Sequence, residues 1–158
     1  MIALIAAYSK NKVIGKNGQI PWKIKGEQKR FRELTTGNVV IMGRRSYEEI
    51  GKPLPNRYTI VISGTKKYEA ENCTTVSSLE EALQLAGDRE IYISGGAALY
   101  KEAINIVDKM YITEINALVD GDTYFPEFNC NDFTKQLDCH IDGGIPYDYV
   151  TYTRKQSL

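Results

Sequence analysis

The sequence predicts a single α/β domain: a mostly parallel β-sheet with helices on its faces and an antiparallel hairpin at its C-terminal edge. Three observations predict it. Short apolar runs that barely alternate recur between residues 1 and 115, as strands buried on both faces do. Helical patterns separate these runs, and strand–helix alternation is the signature of a parallel sheet covered by helices. Beyond residue 115 the alternation stops, and two strand-like runs flank a glycine- and proline-containing turn.

Taken in order, residues 2–7 form the first strand, and a helical run then opens at Glu27. A strand over 39–42 leads into a helix over 44–50, where Tyr47 and Ile50 stand three apart. The apolar run 58–62 is the next strand. Ser78-Leu79-Glu80-Glu81 is a capping box, followed by Leu79, Ala82, Leu83 and Ala86 at helical spacing and closed by Gly87. A strand over 91–93, a helix over 97–104 and a strand over 110–115 complete the alternating part. Residues 133–138 and 149–154 pair around Asp142-Gly143-Gly144-Ile145-Pro146. No repeat or linker divides the 158 residues, and 42% hydrophobic side chains suffice for one core, so 1–158 reads as one domain.

Composition narrows the function. Twenty basic and twenty acidic side chains cancel, so no global field attracts nucleic acid or an anionic membrane. Cys73, Cys130 and Cys139 are odd in number and lack C-x-x-C spacing, and His140 is the only histidine, so neither a metal site nor a disulfide framework is expected. The opening apolar run is too short for a signal sequence and no run suits a membrane span, which points to a cytoplasmic protein. No evident apolar patch marks a partner surface, so a monomer is expected.

Glu27 is the most informative residue. Phe31 and Leu34 follow at i+4 and i+7, so a helix places this carboxylate on an apolar face. A buried carboxylate finds a polar partner or shifts its pKa upward, which suits proton chemistry. Alone, Glu27 reads equally well as a first-turn acid complementing the helix dipole.

Two strand–glycine–helix junctions suit phosphate. Ile93-Ser94-Gly95-Gly96-Ala97 passes from strand to helix through two glycines, where backbone can approach a ligand closely. By itself this is also an ordinary tight turn. Met42-Gly43-Arg44-Arg45-Ser46 repeats the pattern with two arginines in a helix's first turn, where cations are disfavoured unless an anion binds. Ser63-Gly64-Thr65-Lys66 adds hydroxyls and another cation. All three lie after strands, at the end where parallel sheets bind ligands. A dinucleotide spans them, and the arginine pair argues for an extra phosphate, hence NADPH. The loop Ile50-Gly51-Lys52-Pro53-Leu54-Pro55-Asn56-Arg57 offers apolar walls ending in a guanidinium, suited to an aromatic carboxylate ligand. The plain alternative is a turn with an exposed arginine.

Together these segments resemble dihydrofolate reductase of the bacterial chromosomal type. Ile20-Pro21-Trp22, Glu27, Val40-Ile41-Met42-Gly43-Arg44, Pro53-Leu54-Pro55-Asn56-Arg57, Gly95-Gly96, Tyr111-Ile112-Thr113 and Gly121-Asp122-Thr123 occur in the family's order and approximate spacing. The resemblance implies a mostly parallel eight-stranded sheet with four flanking helices, NADPH as hydride donor, and reduction of 7,8-dihydrofolate to tetrahydrofolate. It makes Glu27 the pterin-pocket acid, Thr113 its support and Trp22 the residue that orders a neighbouring water. Ile5, Ala6, Gln28, Phe31, Ile50, Leu54 and Ser94 would contact substrate, with Arg57 on its α-carboxylate.

On the cofactor side, the resemblance puts backbone at Ala7 and Ile14 on the nicotinamide carboxamide, with Gly15, Gly18 and Ile20 also among the cofactor-binding residues. It puts Arg44, Arg45, Ser63 and Gly64 on the adenosine side and Gly95, Gly96 and Ala97 at the pyrophosphate, with Gly43, Ser46, Thr65, Ala98 and Leu99 as further cofactor-binding residues. Thr123 would complete the set, and residues 11–23 resemble a mobile active-site loop that Asp122 helps close. The family joins its two glycines by a cis peptide. Four positions depart from the common pattern: Glu27 for aspartate, Lys25 for proline, and the polar Gln28 and Ser94 for apolar residues. The rivals are a related reductase of riboflavin biosynthesis, against which Trp22, Glu27 and Arg57 argue together, and an NADPH-sensing module, which leaves Glu27 unexplained.

Overall fold

A computed structural model describes residues 1–17, 21, 22, 24, 26–142 and 144–155. The apolar runs become strands of one eight-stranded sheet. In chain order the elements are β1 (Ile2–Ser9), β2 (Val13–Gly15), α1 (Glu27–Thr35), β3 (Val39–Gly43), α2 (Arg44–Ile50), β4 (Tyr58–Ile62), β5 (Cys73–Val76) and α3 (Leu79–Ala86). They continue with β6 (Ile91–Ile93), α4 (Ala97–Ala103), β7 (Lys109–Ile115), β8 (Thr123–Tyr124), β9 (Phe133–Ile141) and β10 (Tyr147–Arg154). The sheet order is β5-β4-β3-β6-β1-β7-β10-β9, and only β10 runs against its neighbours. The sequence-derived fold class is therefore correct. Both hairpin strands are longer than read from sequence, with a bulge between Tyr149 and Val150. Gly143 lies outside the described residues.

The weak alternation has a structural cause: both faces of the parallel strands are covered. Val39, Ile41 and Ile60 belong to a cluster with α3, α4 and β7, whereas Val40, Met42 and Val61 join Tyr47, Cys73, Phe31 and Leu54 on the other face. The α3 box is only half as predicted. Ser78 Oγ accepts from Glu81 N–H at 3.1 Å, but Glu81 reaches back to Ser77, at 3.2 Å to its N–H and 2.8 Å to its hydroxyl. Three strands escaped the sequence reading. β5 is a polar edge strand, Cys73-Thr74-Thr75-Val76, and β2 and β8 form a separate two-stranded ribbon of three and two residues. No helix among the described residues is long and apolar enough to cross a membrane.

The β2–β8 ribbon anchors the segment leading toward Trp22. Asp122 N–H donates to the Gly15 carbonyl at 3.0 Å, and the Asp122 carboxylate accepts from Asn17 N–H at 2.9 Å and Thr123 Oγ1 at 2.9 Å. These donors, the Asn17 N–H first, hold the Asp122 carboxyl below its ordinary pKa. Gly121 permits this approach: a Cβ there would lie 2.3 Å from Val13 Cγ1 and 2.7 Å from the Gly15 carbonyl oxygen. Gly121→Ala should therefore destabilise the protein by about 1 to 3 kcal/mol through overpacking. Denaturant melts and amide exchange at Asp122 and Asn17 would check it, with faster exchange there expected.

Candidate active site

The site is assembled from the carboxyl ends of the parallel strands and the first turn of α1. Glu27 is the first residue of α1, and Phe31 and Leu34 share its half-buried face, as the spacing requires. Across from it, the side chain of Thr113 on β7 is buried. Its Oγ1 lies 2.8 and 3.0 Å from the two Glu27 carboxylate oxygens, so its one hydrogen is donated to this carboxylate. Burial raises the Glu27 pKa above the ordinary carboxylate value, and the Thr113 hydrogen bond and the charge of Arg30 only partly offset it.

Arg30 was not singled out in the sequence, though its i+3 spacing from Glu27 was a legible signal. Its Nη1 lies 3.4 Å from the Ile112 carbonyl oxygen and 3.5 Å from Thr113 Oγ1, and its guanidinium stacks 4.0 Å above the Tyr149 ring. Tyr100 was missed as well. Its hydroxyl donates to the Ile5 carbonyl at 2.8 Å, and burial, then the Glu27 charge, raises its pKa.

The remaining substrate-side residues separate by environment. Ala6 is buried and Ile5 half-buried on β1; Phe31 and Leu54 pack against the second core cluster. Ile50 ends α2 with 40% exposure, and Gln28 is exposed. Arg57 is buried rather than a surface arginine. Its Nε donates to the Pro55 carbonyl at 2.9 Å and its Nη1 to Thr35 Oγ1 at 3.2 Å, while Nη2 makes no hydrogen bond among the described residues. Ser94 is half-buried, and its N–H donates to the Ile41 carbonyl at 3.0 Å. Trp22 is half-buried; Gly18, Ile20 and Lys25 lie outside the described residues.

On the other side of the cleft, the strand–glycine–helix junctions of β3 and β6 touch. Gly43 N–H donates to the Gly95 carbonyl at 2.8 Å, and the Gly95–Gly96 peptide is cis. Gly95 has φ 118°, a conformation that favours glycine, and a Cβ there would also press on the Tyr100 hydroxyl at 3.3 Å. Neither α2 nor α4 has a side-chain N-cap. Leu99 is buried in the core, so its backbone alone is available to a ligand. After β4, Ser63 Oγ accepts from Thr65 N–H at 3.3 Å and Lys66 N–H at 3.1 Å, and Arg44 Nη1 donates to Thr65 Oγ1 at 3.1 Å. Arg45 is exposed, with no ion pair among the described residues. Ala7 and Ile14 are half-buried on β1 and β2. Uncapped helix ends, glycines that admit close backbone approach, hydroxyls and cations form a donor set suited to a phosphate-bearing dinucleotide.

This fold and site define an α/β enzyme in which a donor set suited to a dinucleotide lies beside a half-buried carboxylate of raised pKa. The chain matches the dihydrofolate reductase family over residues 1–154 and belongs to that family. It is 40% identical to an Escherichia coli dihydrofolate reductase type A13 over 156 residues, covering 98% of this chain and 94% of that protein. It is 37% identical to the Bacillus subtilis dihydrofolate reductase, covering 99% and 96%. A solved Enterococcus faecalis dihydrofolate reductase, complexed with NADP(H) and RAB-propyl, superposes with a TM-score of 0.89 at 36% identity, covering 99% of this chain and 97% of that one.

The raised Glu27 pKa has a stability consequence. Its contribution is fully present below the unfolded carboxylate pKa and is lost as pH rises through the higher folded value. Glu27→Gln removes that loss and keeps an acceptor for the Thr113 hydroxyl. The variant should melt at or above the parent's temperature at neutral pH and show a flatter decline above the acid range. Thermal melts from about pH 4 to 8, spanning the carboxylate range, would show it; a lower neutral-pH melting temperature would contradict it.

Proposed function

We propose that this protein is an NADPH-dependent dihydrofolate reductase, reducing 7,8-dihydrofolate to 5,6,7,8-tetrahydrofolate and so supplying one-carbon metabolism and thymidylate synthesis. The observation that carries the reading is the half-buried Glu27 carboxylate held by Thr113 beside a dinucleotide donor set. We read the chain as a single-domain cytoplasmic monomer whose ligands are dihydrofolate, antifolate inhibitors and NADPH, with neither nucleic acid nor membrane as partner.

In this reading Glu27 takes the amino and amide edge of the pterin, a pairing that one carboxylate makes bidentately. Ile5, Ala6, Phe31, Ile50 and Leu54 enclose the rings, and Arg57, its Nε and one Nη1 arm fixed by Pro55 and Thr35, takes the α-carboxylate. Backbone at Ala7 and Ile14 orients the nicotinamide, Gly95, Gly96, Ala97 and Ala98 hold the pyrophosphate, and Arg44, Arg45, Ser63 and Thr65 the adenosine half. NADPH, when bound, supplies the hydride. Protonation at the pterin N5 falls to a water ordered near Trp22, with Glu27 tuning the ring's electrostatics because no side chain of the site is assigned to that nitrogen.

Loss of NADPH absorbance on adding dihydrofolate tests the activity, and no turnover with both present would refute it. Glu27→Gln should lower kcat by about 100-fold or more at neutral pH, the scale of a lost electrostatic contact to the reacting group, with a smaller deficit at low pH where substrate arrives protonated. Near-parental activity at neutral pH would remove Glu27 from the mechanism. Arg44→Ala should raise the NADPH KM more than Arg45→Ala, because only Arg44 is pre-oriented by Thr65. Equal effects on KM would show that this orientation is unimportant.

A further inference from the structure

Two of the cations on the adenosine side of the cleft, Arg44 and Lys66, are already engaged by a carboxylate. Glu48 lies on α2 one turn after Arg44, and its Oε1 is 3.5 Å from Arg44 Nε. Its Oε2 lies 3.9 Å from Lys66 Nζ and accepts the Tyr68 hydroxyl at 2.8 Å. One carboxylate thus bridges the first turn of α2 and the loop after β4, the two segments whose cations suit a phosphate. Arg44 is held from the opposite side as well, through Nη1 and Thr65 Oγ1 at 3.1 Å.

We propose that Glu48 is a specificity-determining residue: in the free protein its carboxylate partly neutralises Arg44 and Lys66, and it thereby limits the preference for a 2′-phosphorylated cofactor. The proposal rests on the reading above that Arg44 serves that phosphate, and it adds Lys66, which Glu48 ties to Arg44, to the same site. Carboxylate and phosphate compete for guanidinium and ammonium donors. A 2′-phosphate arriving here either displaces Glu48 from these cations or sits near a like charge, and both reduce its affinity. A ribose with a free 2′-hydroxyl meets the opposite situation, since that hydroxyl can donate to Glu48 and no charge need move. Glu48 therefore favours the unphosphorylated ribose relative to a neutral residue at the same position. Its side chain is 39% exposed, so the competition is screened and modest in size.

Isothermal titration of the full-length protein with 2′,5′-ADP and with 5′-AMP tests this. Glu48→Gln keeps an acceptor for Tyr68, and Glu49→Gln removes the same charge from the next residue, whose carboxylate has no ion pair among the described residues. Glu48→Gln should tighten 2′,5′-ADP by about 1.4- to fivefold at low ionic strength, the range of exposed ion pairs. Added salt should shrink that gain. Binding of 5′-AMP should be unchanged or weaker, Glu49→Gln should alter neither, and the ratio of NADH to NADPH KM should rise with Glu48→Gln. Unchanged or weaker 2′,5′-ADP binding by Glu48→Gln, or an equal gain in Glu49→Gln, overturns the role of Glu48. If the parent itself binds 2′,5′-ADP no better than 5′-AMP, the assignment of Arg44 and Lys66 to the phosphate fails, and the proposal falls with it.

Discussion

The insertion of β6 between β1 and β3 is the constraint on which the site depends. The chain runs from β1 to β3, moves outward through β4 and β5, and returns to fill the gap with a strand of three residues. β6 pairs in parallel with both neighbours, Ile91 with Ile2 and Val39, Ile93 with Leu4 and Ile41. Because β6 is so short, it ends beside the centre of the cleft, and its exit must turn immediately. Ser94 still bonds to Ile41, and Gly95 accepts from Gly43, so the two glycine junctions are fastened to each other. Reversing the winding direction at this point opens the crevice in which α/β sheets hold dinucleotides.

Two neighbouring residues on β7 show how donors decide the state of a half-buried carboxylate. Thr113 and Glu114 point to opposite faces of the sheet. On one face, Glu27 receives a single hydroxyl from Thr113 and the charge of Arg30, and burial prevails, so its pKa rises. On the other, burial likewise pushes Glu114 up, but Lys135 at 2.8 Å, Tyr152 at 2.7 Å and Tyr8 at 3.1 Å outweigh it, and its pKa falls. Glu114 is thus an ionised tie between β7, β1 and the C-terminal hairpin. Glu27 is the carboxylate left under-supported, and a group in that condition is the one poised to exchange partners with a ligand.

Legibility followed the strength of local patterns. Ile91–Ile93 and Tyr58–Ile62 were read at their observed bounds because buried parallel strands leave continuous apolar runs. Cys73–Val76 carries two threonines at a sheet edge, and Thr123–Tyr124 exists only because Gly121 lets it reach β2, so neither has a periodicity of its own. Within the site, Glu27 stood out because charge broke an apolar stripe, whereas its partner Thr113 was placed only by family resemblance. Threonine is an ordinary strand residue, and its pairing across 86 positions is tertiary information. Tyr100 was hidden for the same reason: an aromatic on a helix reads as core, and its bond to Ile5 depends on how α4 settles against β1.

Zero net charge makes local arrangement decisive for ligand capture. With no global field to draw in an anionic cofactor, attraction depends on cations gathered within a Debye length of the cleft. Glu48 partly neutralises that cluster, while Tyr68 and Thr65 hold its geometry. Cations crowded at the positive end of α2 repel one another and the helix dipole, so an internal carboxylate stabilises this cluster. The same carboxylate opposes the incoming phosphate. Stability of the free protein and affinity for the ligand thus pull against each other at Glu48. They do so at Glu27 as well, where burial disfavours a charge that a donor-bearing ligand would favour.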